Sequence, residues 1–346
     1  QHKTVYWETL DAIDDPVCIA TLAAQAAAQG ARVLVVRNTV PAAVATLRAL
    51  EQLTLAQGGD WLFKVNGVST VHHSRYSRQD RPLLDKAVEA QLGKTRNDSQ
   101  GRVIIGTQTL EQSLDIDADL LITDLCPMDV LLQRLGRLHR HARPEAERPE
   151  GYRLPRAWVL TSAGHDLTPM LKRARHGLGR FHDGGGVYPD LRMVEATKRL
   201  IQAQPSRQIP ADNRMLVEHA THTEALLAIE KELGADWQKL GQAIEDDTSA
   251  RKGIGHLHTL PYDEAFGDVL FHDSDQKIAT RLGAADRLVT FAPHLPGPFQ
   301  QDVKQLALRH HQIPEGVSPD ALPADICALP GSTGFEFTLG EARYRY

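Results

Sequence analysis

Two arginines, Arg137 and Arg140, have the residue type and spacing best suited to chemistry in this chain of 346 residues. They belong to the segment QRLGRLHRH, which begins at Gln133. In a helix, a separation of three residues puts both guanidinium groups on one face, with Gln133 one turn earlier. Each guanidinium group presents a planar fork of donors that suits a polyphosphate. The segment therefore predicts a helix face that binds phosphate, and a solvated basic face is the alternative.

Strands that alternate with helices must hold this segment in place. Apolar, β-branched runs predict strands, and Ala-rich or amphipathic segments between them predict helices. The predicted strands cover 32–36, 61–65, 69–72, 102–105, 119–123 and 157–161, and the predicted helices cover 16–29, 42–56 and 83–92. This alternation is typical of an α/β fold with a mostly parallel sheet and helices on both faces. Ligands bind at the carboxyl ends of such strands, where Asn38, Thr39 and Thr107 are expected.

Two segments in sequence order resemble motifs V and VI of superfamily-2 helicases. The first, TQTLEQSLDID, runs from Thr107 to Asp117, and the second has the pattern QxxGRxxR. Within that superfamily, this pair of segments is most similar to the CRISPR-associated helicase-nuclease of type I systems. The strand, turn and helix from Arg32 onwards resemble motif IV. The resemblance implies a RecA-like domain, the second of the two that clamp ATP between them.

The resemblance also implies a role for each matched residue near the nucleotide. Arg137 and Arg140 occupy the arginine-finger positions, and Gln133 is the leading glutamine that contacts ATP. Asp115 is expected on the ATP side, where it orients an arginine or accepts a hydrogen bond from the ribose. A helix-cap or turn aspartate is the alternative for Asp115. Arg134 is expected at the ATP interface, where it braces the partner domain.

Contacts with nucleic acid are expected in three loops. Hydroxyl groups and backbone N–H groups at a strand end can hold a phosphate. The loop His72–Arg75 resembles the segment that follows motif IV, although a plain basic loop is equally compatible with it. The residues predicted to bind nucleic acid are Asn38, Thr39, Ser74, Arg75, Thr107 and Gln108.

The sequence contains only part of an ATPase. Gly93-Lys94-Thr95 ends like a phosphate-binding loop, but Val88 stands five residues before Gly93 and a helix precedes the segment. Histidine–aspartate pairs lack the residues that follow the metal-binding pair of the family's HD nuclease. These pairs are His165–Asp166, His182–Asp183 and His272–Asp273. We therefore predict no metal site in this chain, Mg²⁺ ligands outside it, and little ATP hydrolysis by the chain alone.

Composition predicts about two domains, at roughly 150 residues each. Residues 1–165 are expected to form the second RecA-like domain, and residues 166–346 a linker helix and a smaller helical or mixed accessory domain. Predicted helices cover 195–202, 214–234 and 237–249, and residues 335–346 are expected to form a strand or hairpin. Three widely spaced cysteines and the lack of a long apolar run favour a cytoplasmic protein.

The function implied by the resemblance is that of the C-terminal half of an ATP-dependent DNA helicase in type I CRISPR interference. Its cofactors would be ATP and Mg²⁺. Its partners would be single-stranded DNA, an N-terminal RecA-like domain with an HD nuclease, and the CRISPR RNA-guided surveillance complex, with no membrane. A net charge of −5 confines any DNA contact to local basic patches. The alternatives are a non-catalytic docking module and another superfamily-2 DNA or RNA helicase.

Overall fold

The computed structural model describes residues 2–96, 100–111, 114–181, 185–257, 287–309, 312–313, 316–318, 321–329 and 334–346. Gln112 and Ser113 of the predicted motif V lie outside these residues, as do the pairs His182–Asp183 and His272–Asp273. In the part of the chain that is described, no helix is both long enough and apolar enough to cross a membrane.

A six-stranded sheet forms the centre of the molecule. Its strands are β1 (Lys3–Asp11), β2 (Arg32–Val36), β5 (Arg102–Gly106), β6 (Leu120–Asp124), β7 (Arg156–Thr161) and β8 (Ser206–Ile209), in the spatial order β5-β2-β6-β7-β1-β8. The first five are parallel, and β8 pairs antiparallel with β1. All residues of β2 and β6 are buried, which explains their continuous apolar runs. The predicted α/β fold with a mostly parallel sheet is confirmed.

Helices cover both faces of this sheet. Helices α1 (Pro16–Ala28) and α2 (Val40–Gln57) pack on one face, and α3 (Arg81–Leu92) and α4 (Met128–Leu135) on the other. Asp15 caps the N-terminus of α1, because its side chain accepts hydrogen bonds from the backbone N–H groups of Val17 and Cys18. Thr39 caps α2 in the same way, through Ala42. Such caps satisfy N–H groups that have no partner inside the helix.

The prediction that one helix carries Gln133, Arg137 and Arg140 was wrong. Helix α4 ends at Leu135, and Gly136 follows as its C-terminal cap. His139 has a φ of 44°, which breaks helical geometry, and Leu138 forms a parallel bridge with Ala118. We refer to residues 136–140 as the arginine turn. The two arginines are therefore placed by a turn and a bridge.

Several other elements differ from the sequence prediction. Strands β1 and β8 were not predicted, and the predicted strands 61–65 and 69–72 are reduced to the short pair β3 (Lys64–Val65) and β4 (Val68–Ser69). The helix predicted over 214–234 is divided at His222, whose ψ of 137° is extended, into α6 (Asn213–Thr221) and α7 (Thr223–Leu233). Helices α5 (Leu191–Ala203) and α8 (Ala235–Leu257) contain the other two predicted helices.

The last part of the chain forms a small β module with its own apolar cluster. It comprises β9 (Arg287–Pro296), β10 (Asp302–Leu308), β11 (Ala324–Ala328), β12 (Phe335–Leu339) and β13 (Ala342–Arg345). Phe291 contacts both Phe335 and Phe337 edge-on, with ring centroids 5.1 Å apart in each pair. The predicted hairpin over 335–346 is confirmed. The boundary at residue 165 stays a prediction about domains, since β8 from beyond it completes the central sheet.

Candidate functional site

Three neighbouring strands bring their carboxyl ends together at one edge of the sheet. Because β5, β2 and β6 are adjacent and parallel, the loops that follow them meet there. Arg37 Nε lies 2.7 Å from Asp124 Oδ1, and both side chains are buried. The backbone N–H of Asn38 donates to Asp124 Oδ2 at 2.8 Å. Gln108 Nε2 donates to the carbonyl oxygen of Asn38 at 2.8 Å, so all three loops are joined.

Asn38 and Thr39 differ in how accessible they are. Asn38 is 1% exposed, its Nδ2 donates to the carbonyl of Leu125, and its Oδ1 accepts from Arg134. A side-chain contact between Asn38 and nucleic acid would require these bonds to break, so the geometry does not support that role. Thr39 is half-buried at the N-terminus of α2, where backbone N–H groups favour an anion.

Thr107 and Gln108 follow the end of β5. The backbone N–H of Thr107 donates to the carbonyl oxygen of His72 at 2.9 Å. A side chain at Gly106 would come within 2.5 Å of that same oxygen, which explains why glycine precedes Thr107. Thr107 is 3% exposed and Gln108 is half-buried. The structure thus brings both residues beside Asn38, as the sequence predicts.

Ser74 and Arg75 are more accessible, on the loop that begins at His72. His72 anchors this loop, because its Nδ1 lies 2.7 Å from Thr109 Oγ1 and its Nε2 lies 2.7 Å from Asp85 Oδ1. Burial lowers the pKa of His72 to about 4 despite the carboxylate of Asp85. The anchor therefore holds a neutral imidazole at physiological pH.

The same loop is covered by the β module. The ring of Tyr76 stacks on His73 with centroids 4.4 Å apart and also contacts Phe299 and Tyr346. A cleft of about 330 Å³ opens here, and its walls include Arg75 and Tyr76 on one side and residues of the β module on the other. Arg75 therefore lies in a partly aromatic cleft, not on an isolated basic loop.

Arg134 is completely buried, and its guanidinium group is fully used inside the protein. It donates to the side chains of Glu111, Thr123, Asn38 and Tyr188 and to the carbonyl oxygen of Asp124, at 2.7 to 3.2 Å. This geometry does not support the predicted contact of Arg134 with ATP or a partner domain. Arg134 instead joins α4 to all three strand-end loops.

Arg137 and Arg140 converge on the loop that follows Glu111. Arg137 donates from Nη2 to the carbonyl oxygen of Glu111 at 2.5 Å and from Nη1 to that of Leu114 at 2.6 Å. Arg140 Nε lies 2.7 Å from Asp115 Oδ1, and the two side chains are 41% and 57% exposed. Burial, and then the positive charge of Arg140, lower the pKa of Arg137. The arginine turn therefore places a half-buried guanidinium group, that of Arg137, next to an exposed one, that of Arg140, which pairs with Asp115.

The remaining candidates are less informative. Gln133 is exposed in the last turn of α4. His165, which the sequence pairs with Asp166, has its Nε2 3.2 Å from Asp11 Oδ1. This contact between His165 and Asp11 lies at the surface. Among the residues that the structure describes, no group of three His, Cys, Asp or Glu side chains could hold a metal ion.

Sequence reasoning missed two buried acids in the segment that adjoins the arginine turn. Asp117 and Asp119 are both fully buried and bind Arg148, while Asp117 also binds Arg143. The alternating acids in the segment DIDAD, directly before a buried strand, were the available signal. Acidic side chains that are buried next to a core are normally paired with a positively charged side chain.

The family comparison matches this region of the chain. Residues 29–143 match the family model described as CRISPR-associated nuclease/helicase Cas3, C-terminal. The CRISPR-associated endonuclease/helicase Cas3 of Escherichia coli K12 is 33% identical over 197 residues, which are 54% of this chain and 19% of that protein. The corresponding protein of Thermus thermophilus is 38% identical over 146 residues, 42% of this chain and 14% of that protein. The chain thus spans less than a fifth of the length of these curated relatives.

Solved structures have the same fold. T. fusca Cas3 is matched with a TM-score of 0.67 and 21% identity, over 92% of this chain and 38% of that one. T. fusca Cas3 with AMPPNP gives a TM-score of 0.62 at 22% identity, over 83% and 31% of the two chains. A chain of a CRISPR RNA-guided surveillance complex, pre-nicking, gives 0.52 at 23% identity, over 72% and 28%. The matching family model covers the strand-end loops and the arginine turn, and the curated relatives are Cas3 proteins, so residues 29–143 form a Cas3-like C-terminal helicase domain.

Proposed function

We propose that this chain is the second half of an ATP-driven motor that moves along single-stranded DNA in type I CRISPR interference. The observation that carries the proposal is the placement of Arg137, Arg140 and Asp115 at the surface beside the strand-end loops. An N-terminal RecA-like domain would face this surface with ATP between the two. The match to a T. fusca Cas3 structure with AMPPNP supports a nucleotide in such a cleft.

In this mechanism the two arginines stabilise the negative charge that forms on the γ-phosphate. Cleavage of ATP builds negative charge on the γ-phosphate, and an arginine supplied from the facing domain contributes roughly 10³ to 10⁵ in rate in other NTPases. Arg137 and Arg140 would donate to those oxygens, and Gln133 would contact the nucleotide from α4. Asp115 would orient Arg140 until the nucleotide binds. Mg²⁺ would be held by the facing domain and would neutralise the phosphates.

The DNA strand would cross the adjacent loops. Thr39 and Thr107 would contact phosphates at the strand ends, while Ser74 and Arg75 would contact them at the cleft beside Tyr76. Asn38 and Gln108 would shape this path from behind, because their side chains bind neighbouring loops. Such contacts are tolerant of sequence and sensitive to salt. The match to a surveillance-complex chain supports that complex as the partner that delivers the strand.

The test combines the full chain with the N-terminal part of a Cas3 relative and measures ATP hydrolysis with and without single-stranded DNA. We expect turnover that DNA stimulates, and a loss of roughly 10³-fold on Arg137→Ala or Arg140→Ala with little change in DNA affinity. Arg214→Ala is the matched control, because Arg214 is an exposed arginine on α6 that pairs with Glu218 one turn away. Unchanged turnover in both finger variants would overturn the assignment. Binding of the surveillance complex without any turnover would favour a docking module.

A further inference from the structure

The arginine turn is held by backbone hydrogen bonds to the segment Asp117–Asp119. The N–H of Ala118 donates to the carbonyl of Arg137 at 2.8 Å, and the N–H of His139 donates to the carbonyl of Ala118 at 3.0 Å. The N–H of Arg140 then donates to Asp117 Oδ1 at 2.8 Å. The turn is therefore bonded through its backbone to the segment that precedes β6, and its last bond, from Arg140, is accepted by a side chain.

The carboxylate of Asp117 is itself fixed by arginines. Arg143 Nε lies 2.5 Å from its Oδ2, and Arg148 Nη2 lies 3.0 Å from both oxygens. Arg96 Nη2 lies 3.6 Å from Oδ2, and the Asp117 side chain is fully buried. Burial alone would raise the pKa of Asp117, but Arg148, Arg143 and Arg96 lower it overall. A charged, immobile acceptor thus lies under the backbone of Arg140.

Asp115 and Asp117 hold the two ends of the same arginine. Asp115 pairs with the guanidinium group of Arg140 at the surface, whereas Asp117 binds its backbone N–H in the interior. We propose that Asp117 is a positioning residue, which sets where the backbone of Arg140 leaves the turn and hence where its guanidinium group meets a phosphate. The inference rests on the proposed function of Arg140.

Asp119 provides a matched control two residues away. It is equally buried, and it shares Arg96 and Arg148 with Asp117. Its carboxylate accepts from the backbone N–H of Arg32, on β2, and among the described residues no bond joins that carboxylate to the arginine turn. Asp119→Asn therefore disturbs the same charge network and leaves the bond to Arg140 in place.

The test compares Asp117→Asn with Asp119→Asn by two readouts. In the full chain alone, amide hydrogen exchange at Arg140 reports the bond itself. Asp117→Asn places an amide NH₂ against the arginines and weakens the remaining acceptor, so we expect exchange at least about tenfold faster than in Asp119→Asn. In the complete assembly, kcat for ATP should fall roughly 10- to 100-fold in Asp117→Asn with KM changed less than about twofold, because displacing a catalytic group by about 1 Å costs that much.

The outcomes separate this inference from the proposed function. Equal exchange at Arg140 and equal kcat in the two aspartate variants would overturn the positioning role, even if Arg140→Ala abolishes turnover. Full turnover in Arg140→Ala would overturn the finger assignment instead, and the exchange measurement would still decide whether Asp117 holds the turn. We expect Asp117→Glu to restore neither the slow amide exchange at Arg140 nor kcat, because the longer side chain moves the acceptor by about one bond length.

Discussion

Arg134 and Arg137 are three residues apart, yet their surroundings give them opposite roles. Arg134 is surrounded by acceptors in the core, and Glu111 balances its charge at 2.7 Å. Arg137 is only half-buried and binds backbone carbonyls at the surface. A guanidinium group whose donors are all used cannot also bind a phosphate. This difference supports the proposal that Arg137 and Arg140, and not Arg134, contact the nucleotide.

His72 should make the stability of the fold depend on pH. Its pKa is about 4 in the folded chain and 6.5 as an ordinary value, so the unfolded chain binds the proton more readily. The stability that neutral His72 contributes is complete above about pH 6.5 and is lost as the pH falls toward 4. Between about pH 7.5 and pH 5, this residue should account for a loss of about 2 kcal/mol in the free energy of unfolding.

Urea unfolding at the two pH values tests this expectation. His72→Gln should remove about 2 kcal/mol of the pH dependence, because glutamine does not titrate. The control is His219→Gln, which changes an exposed histidine on α6. An equal pH dependence in wild type and His72→Gln would show that the pKa of His72 is the same in the folded and the unfolded chain. His73 and His139, whose pKa values burial also lowers to about 4, would account for the dependence that remains.

At the scale of elements, the end of β5 depends on a close backbone approach. A Cβ at Gly106 would lie 2.5 Å from both the carbonyl oxygen of His72 and Leu110 Cδ1. Gly106→Ala should therefore separate β5 from the His72 loop and lower the free energy of unfolding by about 1 to 3 kcal/mol, as overpacking does. Because Thr107 moves with it, affinity for single-stranded DNA should fall as well.

Gly253→Ala is the matched control for Gly106→Ala. Gly253 is exposed within α8, and nothing lies within 4 Å of a Cβ built there. Alanine should stabilise that helix by roughly 0.5 to 1 kcal/mol relative to glycine. Chemical unfolding of both variants measures the difference. A Gly106→Ala chain as stable as wild type, with unchanged DNA affinity, would contradict the close-approach argument.

The elements also show what the sequence could predict. Strands β2, β5, β6 and β7 were predictable, because strands buried on both faces are nearly continuous apolar runs. Strand β1 was not, since its burial alternates along KTVYWETLD without a long apolar run. The end of α4 was missed because Leu138 continues the apolar spacing, although it is buried through a bridge to Ala118. The motifs identified Arg137 and Arg140, but only the fold shows which acceptors their neighbours use.

At the scale of the whole molecule, the β module packs against the segment that runs from Asn66 to Asp80. The hydroxyl of Tyr346 accepts a hydrogen bond from the backbone N–H of Ser77 at 2.8 Å and donates to Asp80. Asn66 Nδ2 donates to the carbonyl oxygen of Phe299 at 2.8 Å. These contacts fix the β module over the loop that carries Ser74 and Arg75. A sequence gives no local signal for contacts between residues more than about 200 positions apart, as these are.

Tyr346→Phe should loosen this contact without unfolding either part. The substitution leaves the buried N–H of Ser77 and the carboxylate of Asp80 without one partner, at a cost of about 1 to 3 kcal/mol. We expect faster amide hydrogen exchange over residues 72–80 and weaker binding of single-stranded DNA, because the cleft beside Arg75 loses one wall. Tyr344→Phe is the control, since Tyr344 donates to the carbonyl oxygen of Gln312 within the β module at 2.5 Å. Equal protection of residues 72–80 in both variants would mean that aromatic packing on Tyr76, and not the Tyr346 hydroxyl, holds the module in place.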